Sequence, residues 1–276
     1  MTAVASKLWR HGRSSLILVV ILIAVALSAP WMAPYDPNRI DVLARDQGLS
    51  ALHWLGTDHL GRDVLSRILL GTQLALGVAL VVVTAALAVG TLLGVLAASA
   101  PRQGERALLI AFDILGAFPS LIFALAFVAL LGPGLLNVMI VVTVTLIPQF
   151  GRVARAQVLA LRQAPFLEAE RALGAGPARI LFVHVLPNIM GALVVLASMD
   201  IPAVITVEAA LSFLGIGVKP PLASLGALLH DGYEYLDRSA WPALAAGVAL
   251  MVVTLGFTLF GEALRDAVDP KFRAEP

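Results

Sequence analysis

Residues 166–188 read FLEAERALGAGPARILFVHVLPN, a charged stretch set between two apolar runs of membrane length. It opens with the acids Glu168 and Glu170, bends at Gly174 and Gly176, and closes on Pro187. Glu168 to Leu173 reads as helix, with acids at its start where they complement the helix dipole. Pro177 suits the first turn of a second helix over 178–185. Pro187 marks the junction with the next span, and Asn188 offers that span a cap. The expected shape is a short helix, a glycine bend and another short helix across the membrane surface. Its tip is an outward knob of Leu173, Gly174, Ala175 and Gly176, suited to a cleft on a soluble partner.

Around this stretch the chain is oily. Of its 276 residues 59% are hydrophobic and 13% charged, where a soluble domain carries about 25% charged residues. The apolar runs are of the length a helix needs to cross a hydrocarbon core of roughly 30 Å. Uninterrupted runs point to helices rather than a barrel. Six spans are expected, near 14–34, 74–98, 106–131, 135–151, 189–215 and 240–261, in an all-α integral membrane protein. The run from Leu16 to Leu27 follows Lys7, Arg10 and Arg13 and has features of a secretory signal. Five further spans and the flank with Trp31 and Pro34 favour an uncleaved first helix. No cysteine is present, which excludes disulfides and thiolate chemistry.

Lysine and arginine set the orientation. With the N-terminus inside, thirteen of the 19 basic residues fall on the cytoplasmic side, among them Arg102, Arg106, Arg152, Arg155 and Lys271. Both termini are therefore expected in the cytoplasm. Residues 152–187 form the longest inward excursion. Two polar segments, near 36–72 and 218–239, lie outside.

Polar groups within the spans each need a reason, since a central acid costs about 2.5–3.5 kcal/mol on insertion scales. Asp200 lies mid-way along the fifth span and Glu208 towards its outer end, about 80° apart around a helix. That face, with Ser212, is a candidate pathway lining for a substrate bearing a cationic amine. Hydrogen bonding to a neighbouring helix or partner chain is the plainer alternative, preferred for Asp113. Pro119, Pro148 and Pro202 each remove a backbone donor from a span, and Gly90 and Gly94 form a small-residue face; bundle packing is the plainer account of both, with a gating role as the alternative. Of the five histidines, His53 and His59 lie outside and six residues apart, too weak a pattern to assign a metal, and none is expected. His184 is expected to pack or hydrogen-bond near the membrane surface. Asp58, Arg62, Asp63 and Arg67 are candidate contacts for an external binding protein, with Asp63 and Arg67 spaced as an i, i+4 pair on a short surface helix. A self-contained structural cap is the alternative.

Four blocks together carry a family resemblance. Glu168-Ala169, Gly174 and Leu186-Pro187 resemble the EAA signature of ABC importer permease subunits, with Glu170 where the triplet's second alanine usually sits. WLGTDHLGRDVLSR (54–67), EAALSFLGIGVKPP (208–221) and GEALRDAVDP (261–270) resemble the second, C-type permease of the dipeptide, oligopeptide and nickel subfamily. The resemblance implies a type I importer fold with six transmembrane helices and a cytoplasmic coupling helix at 166–188. It divides the chain into an N-terminal helix with its external segment (1–72) and a five-helix core (73–276). It implies that Glu168, Ala169, Leu173, Gly174, Ala175, Gly176 and Pro187 couple the chain to two ATPase subunits. A second homologous permease subunit, different from this one, and an external binding protein complete the implied assembly in a bacterial inner membrane. Lipid is the solvent of the spans, and no nucleic-acid partner is expected. The chain has no G-x-x-x-x-G-K-[ST] loop, so it is not expected to hydrolyse ATP. ATP and Mg belong to the partner subunits, and no cofactor is expected on this chain. Di- or oligopeptides are the cargo the resemblance favours, with nickel chelates or glutathione as alternatives. Two readings from other classes remain: an ion-coupled secondary transporter using Asp200 and Glu208, and a structural scaffold.

Overall fold

The computed structural model describes residues 13–268, and its regular elements are all helical. Lys7, Arg10, Lys271 and both chain ends, on which part of the orientation rests, lie outside the described residues. In chain order the main helices are α1 (Arg13–Met32), α2 (Val64–Ser99), α3 (Arg102–Gly116), α4 (Ser120–Leu131) and α5 (Leu135–Arg162). Then come α6 (Pro165–Ala172), α7 (Pro177–Phe213), α8 (Leu225–Glu234) and α9 (Trp241–Val268). Five of them, α1, α2, α5, α7 and α9, are long and apolar enough to cross a membrane.

The expected span over 106–131 is not a single helix. It is two helices, α3 and α4, at 87° to each other, so a sixth span exists only if this bent pair counts as one. Pro119 sits at the break in an extended conformation, immediately before α4, as expected where proline bars the preceding residue from continuing a helix. Gly116, a poor helix former, ends α3 just ahead of it. Pro148 and Pro202 behave differently, since α5 and α7 run straight through them. At about 1.5 Å per residue the twelve-residue α4 is too short to cross roughly 30 Å by itself. Helix α5 also runs further than expected, taking residues 152–162 out of the surface excursion and into the bundle.

The core is built on α2, which packs against α1, α5, α7 and α9. Half of its most apolar window is buried within the chain, against 17% of the window in α7. The outward faces of α7 are thus left for lipid or another chain. Gly90 and Gly94 let α2 and α5 approach closely, as their small-residue spacing predicts. A Cβ on Gly94 would lie 2.3 Å from the Gly151 carbonyl oxygen of α5, and one on Gly90 would lie 2.6 Å from Phe150 Cβ. Gly151 in turn leaves room for the ring of Phe112 from α3. Ion pairs Glu105–Arg155 and Asp113–Arg152 fasten α3 along the same helix. Asp113 is therefore an exposed, paired acid on α3, as its plainer reading held.

Candidate functional site

The charged stretch that opened the sequence projects from one end of the bundle. Helix α6 starts with Pro165, is anchored by the buried Leu167, and ends where Gly174 turns the chain with φ +84°. That conformation suits glycine because a side chain there meets its own backbone. Leu173 at the tip is 84% exposed, and among the described residues, chain neighbours aside, nothing comes within 4 Å of a Cβ built on Gly174 or Gly176. Pro177 begins the return helix at its first turn, as its fixed φ favours.

The return arm departs from expectation at its far end. Pro187 does not separate two helices, and Asn188 does not cap one. Residues Ile180–Val185 form a wide π-helical turn, with the Leu186 N–H donating to the Leu181 carbonyl, and α7 continues unbroken through Pro187. The wider turn brings the chain past a residue that has no N–H to give. The Asn188 side-chain amide instead donates to the His184 carbonyl at 2.6 Å. Across the hairpin, His184 Nε2 lies 3.6 Å from Glu170 Oε2. The acid that departs from the EAA triplet thus faces the opposite arm.

The polar groups on α7 separate into two settings. Glu208 is buried, and its Oε1 accepts from Ser212 Oγ at 2.7 Å and Ser224 Oγ at 3.0 Å. Ser212 Oγ also accepts from the Val218 N–H. These bonds fold residues 214–224 back over the end of α7, so Glu208 and Ser212 act as a clasp within the chain. Asp200 stands apart from them. It is buried, its Oδ1 meets Gln149 Nε2 at 3.5 Å, and its Oδ2 has no hydrogen-bond partner among the described residues. Gln149 itself is exposed on α5, so this pair opens onto a face of the bundle.

At the opposite end of the bundle, Asp58, Arg62, Asp63 and Arg67 are all buried, and the i, i+4 surface pair expected of Asp63 and Arg67 is not made. Asp63 instead caps α2, its Oδ2 accepting from the Ser66 N–H at 2.8 Å, while Oδ1 meets His53 Nδ1 at 2.9 Å. Arg67 joins Asp58 at 2.5 Å and Asp231 of α8 at 3.0 Å, and Arg62 joins the same two acids at 2.7 and 2.8 Å. Burial pushes the Asp58 carboxyl up, but the two guanidiniums outweigh it and hold its pKa below 3.8. These charges are paired with one another inside the chain, as the structural-cap alternative expected. Asp58, His59 and Asp231 stand close enough to share a metal ion. Two arginines already balance the two acids, however, and His59 stacks on Tyr235 at 4.1 Å with burial pushing its pKa down. Sequence reasoning passed over Asp231, Ser224 and Gln149. The acid-rich stretch HDGYEYLD was the one available signal for Asp231.

Residues 90–274 match the family of binding-protein-dependent transport system inner membrane components. The chain belongs to that family. Residues 13–51 match the N-terminal TM domain of oligopeptide transport permease C. The chain is 39% identical to the dipeptide transport system permease protein DppC of Alkalihalophilus pseudofirmus, over 94% of its own length and 85% of that protein. It is 37% identical to the probable D,D-dipeptide permease DdpC of Escherichia coli K12, over 94% and 87%. It is also 39% identical to the glutathione permease GsiD of Pectobacterium atrosepticum, over 94% and 86%. Among solved structures, the inward-facing MetNI methionine ABC transporter aligns with a TM-score of 0.60 at 21% identity, covering 74% of this chain and 96% of that one. This likeness establishes the fold as that of an ABC importer permease. The chain is a multi-pass membrane permease, and neither its family nor its fold is that of an enzyme.

Proposed function

We propose that this chain is the C-type permease subunit of an ATP-driven importer of short peptides. It pairs with a second, homologous permease, and residues 165–180 dock into two-subunit ATPase machinery on the cytoplasmic side. Both chain ends lie on that side, and an external binding protein delivers the peptide. ATP and Mg are held by the ATPases, whose closure draws the two docking hairpins together and rocks the helices between inward- and outward-open states. The observation that carries this reading is the exposed tip at Leu173 and Gly174, held out on two proline-started arms. Peptide as cargo is supported by the names of the relatives, two of which specify dipeptides and one glutathione, itself a short peptide. Asp200, with Gln149 beside it, is the pathway residue and offers a carboxylate to the peptide's ammonium group. Glu208 and Ser212 hold the loop after α7.

Gly174→Val tests the docking role. Its side chain has free space, but the positive φ disfavours it by about 1–2 kcal/mol, which distorts the tip alone. The variant is expected to insert and assemble normally while peptide-dependent ATP hydrolysis and uptake by the reconstituted transporter fall at least tenfold. Unaltered coupled uptake would remove the docking assignment.

A further inference from the structure

The bundle end that carries the hairpin also holds a groove of about 500 Å³ between α2, α5 and the two hairpin arms. Its floor is apolar, with Val95, Val158, Leu167 and Val185 all buried there. Arg162, in the last turn of α5, and Arg171, in the last turn of α6, line it. Both arginines are exposed, and neither has a carboxylate within 4.0 Å among the described residues. Arg162 reaches only Ser99 Oγ, at 3.4 Å. By contrast, Arg152 and Arg155 on the same helix are paired with Asp113 and Glu105. A second groove of nearly equal size, about 510 Å³, lies at the other end of the bundle and has no charged residue in its lining. Of these two grooves, only the one at the hairpin end sets exposed arginines over an apolar floor.

We propose that this groove binds an anionic phospholipid of the inner leaflet. One acyl chain lies on the valine floor, and the phosphate sits between Arg162 and Arg171. The proposal rests on the reading of this end as cytoplasmic. The two halves of the groove select the two halves of the ligand. Guanidiniums pair with phosphate oxygens in planar, two-pronged contacts, and basic pockets between helices on the cytoplasmic side suit anionic headgroups. A free phosphate would satisfy the arginines but leave the valine floor facing water. Because one wall is α2 and α5 and the other is the hairpin, the bound lipid ties the docking segment to the bundle.

The test is native mass spectrometry of the complete transporter, taken from nanodiscs containing equal phosphatidylglycerol and phosphatidylcholine. The wild type is expected to retain phosphatidylglycerol preferentially. Arg162→Gln and Arg171→Gln should each reduce that retention on the order of fivefold, without raising phosphatidylcholine. Ala178→Phe, which fills the groove and changes no charge, should reduce it as well. Arg265→Gln, outside the groove, should leave it unchanged, and added inorganic phosphate should not displace the lipid. Equal retention in both arginine variants would overturn the proposal. So would displacement by phosphate alone, which would indicate a free-anion site. Phosphatidylglycerol that binds only after the ATPase subunits are stripped away would give the groove to the ATPase instead. Lipid retention is read without transport, so its failure is distinguishable from failure of the docking role tested at Gly174.

Discussion

Among the charged stretches that interrupt the apolar chain, residues 58–67 and 165–185 dispose of their charges in opposite ways. In the first, Asp58 is 1% exposed and Arg67 5%; the two pair with each other, and Arg67 also pairs with Asp231. In the second, Leu173 is 84% exposed and Arg171 has no ion pair. Both segments carry acids and arginines, yet one is a bolt and the other a handle. The difference is whether the chain itself supplies the counter-charge. A charged segment in a membrane protein marks a partner only when its charges are left unspent.

The sharpest way to break this contrast is to remove one member of the buried network. Arg67→Ala leaves Asp58 and Asp231 sharing only Arg62, at a cost of about 3–5 kcal/mol. Thermal melting of the purified permease should show a large loss, while Arg171→Ala should melt like the wild type. Equal losses at the two sites would erase the distinction. A smaller effect is expected from Glu208→Ala, which strips Ser212 and Ser224 of their acceptor and costs about 1–3 kcal/mol. Limited proteolysis should then cut within 214–224, and Glu208→Gln should protect that loop better than alanine does.

Acid sharpens the comparison further. The Asp58 pKa is held below its ordinary 3.8, so its pairing stabilises the fold fully above about pH 4 and is lost as pH falls through the lowered value. Protection factors against amide hydrogen exchange at residues 57–62 should stay high at pH 5 and fall towards pH 2, in advance of the hydrophobic spans. The smallest effect belongs to Glu170→Ala. It removes a half-exposed pair with His184 at 3.6 Å, worth at most about 1 kcal/mol. Melting should barely change, and a large shift would show the hairpin to be anchored more like the external segment than its exposure suggests.

Much of the fold is legible in the amino-acid sequence. The apolar runs locate α1, α2, α5, α7 and α9, the Gly90–Gly94 spacing marks a close contact between α2 and α5, and Gly174 and Pro177 mark the turn and the return arm. The departures share a cause, which is that identical residue types meet different surroundings. Pro119 breaks its helix whereas Pro148 and Pro202 do not, and all three look alike as residues. Pro187 lies in a continuous helix because a π turn precedes it. Asp200 and Glu208 look like one polar face, but Ser224 claims only Glu208, across a loop the helical period does not describe.

The sequence by itself determined that this chain is a helical membrane protein with a projecting charged hairpin. Hydrophobic length, glycine and proline act locally and can be summed along the chain. Which charges are structural and which are free was decided only by tertiary structure. Arg67 meets Asp231 across 164 residues of chain, and the helix packing that joins them also decides that Arg162 and Arg171 have no acid to meet.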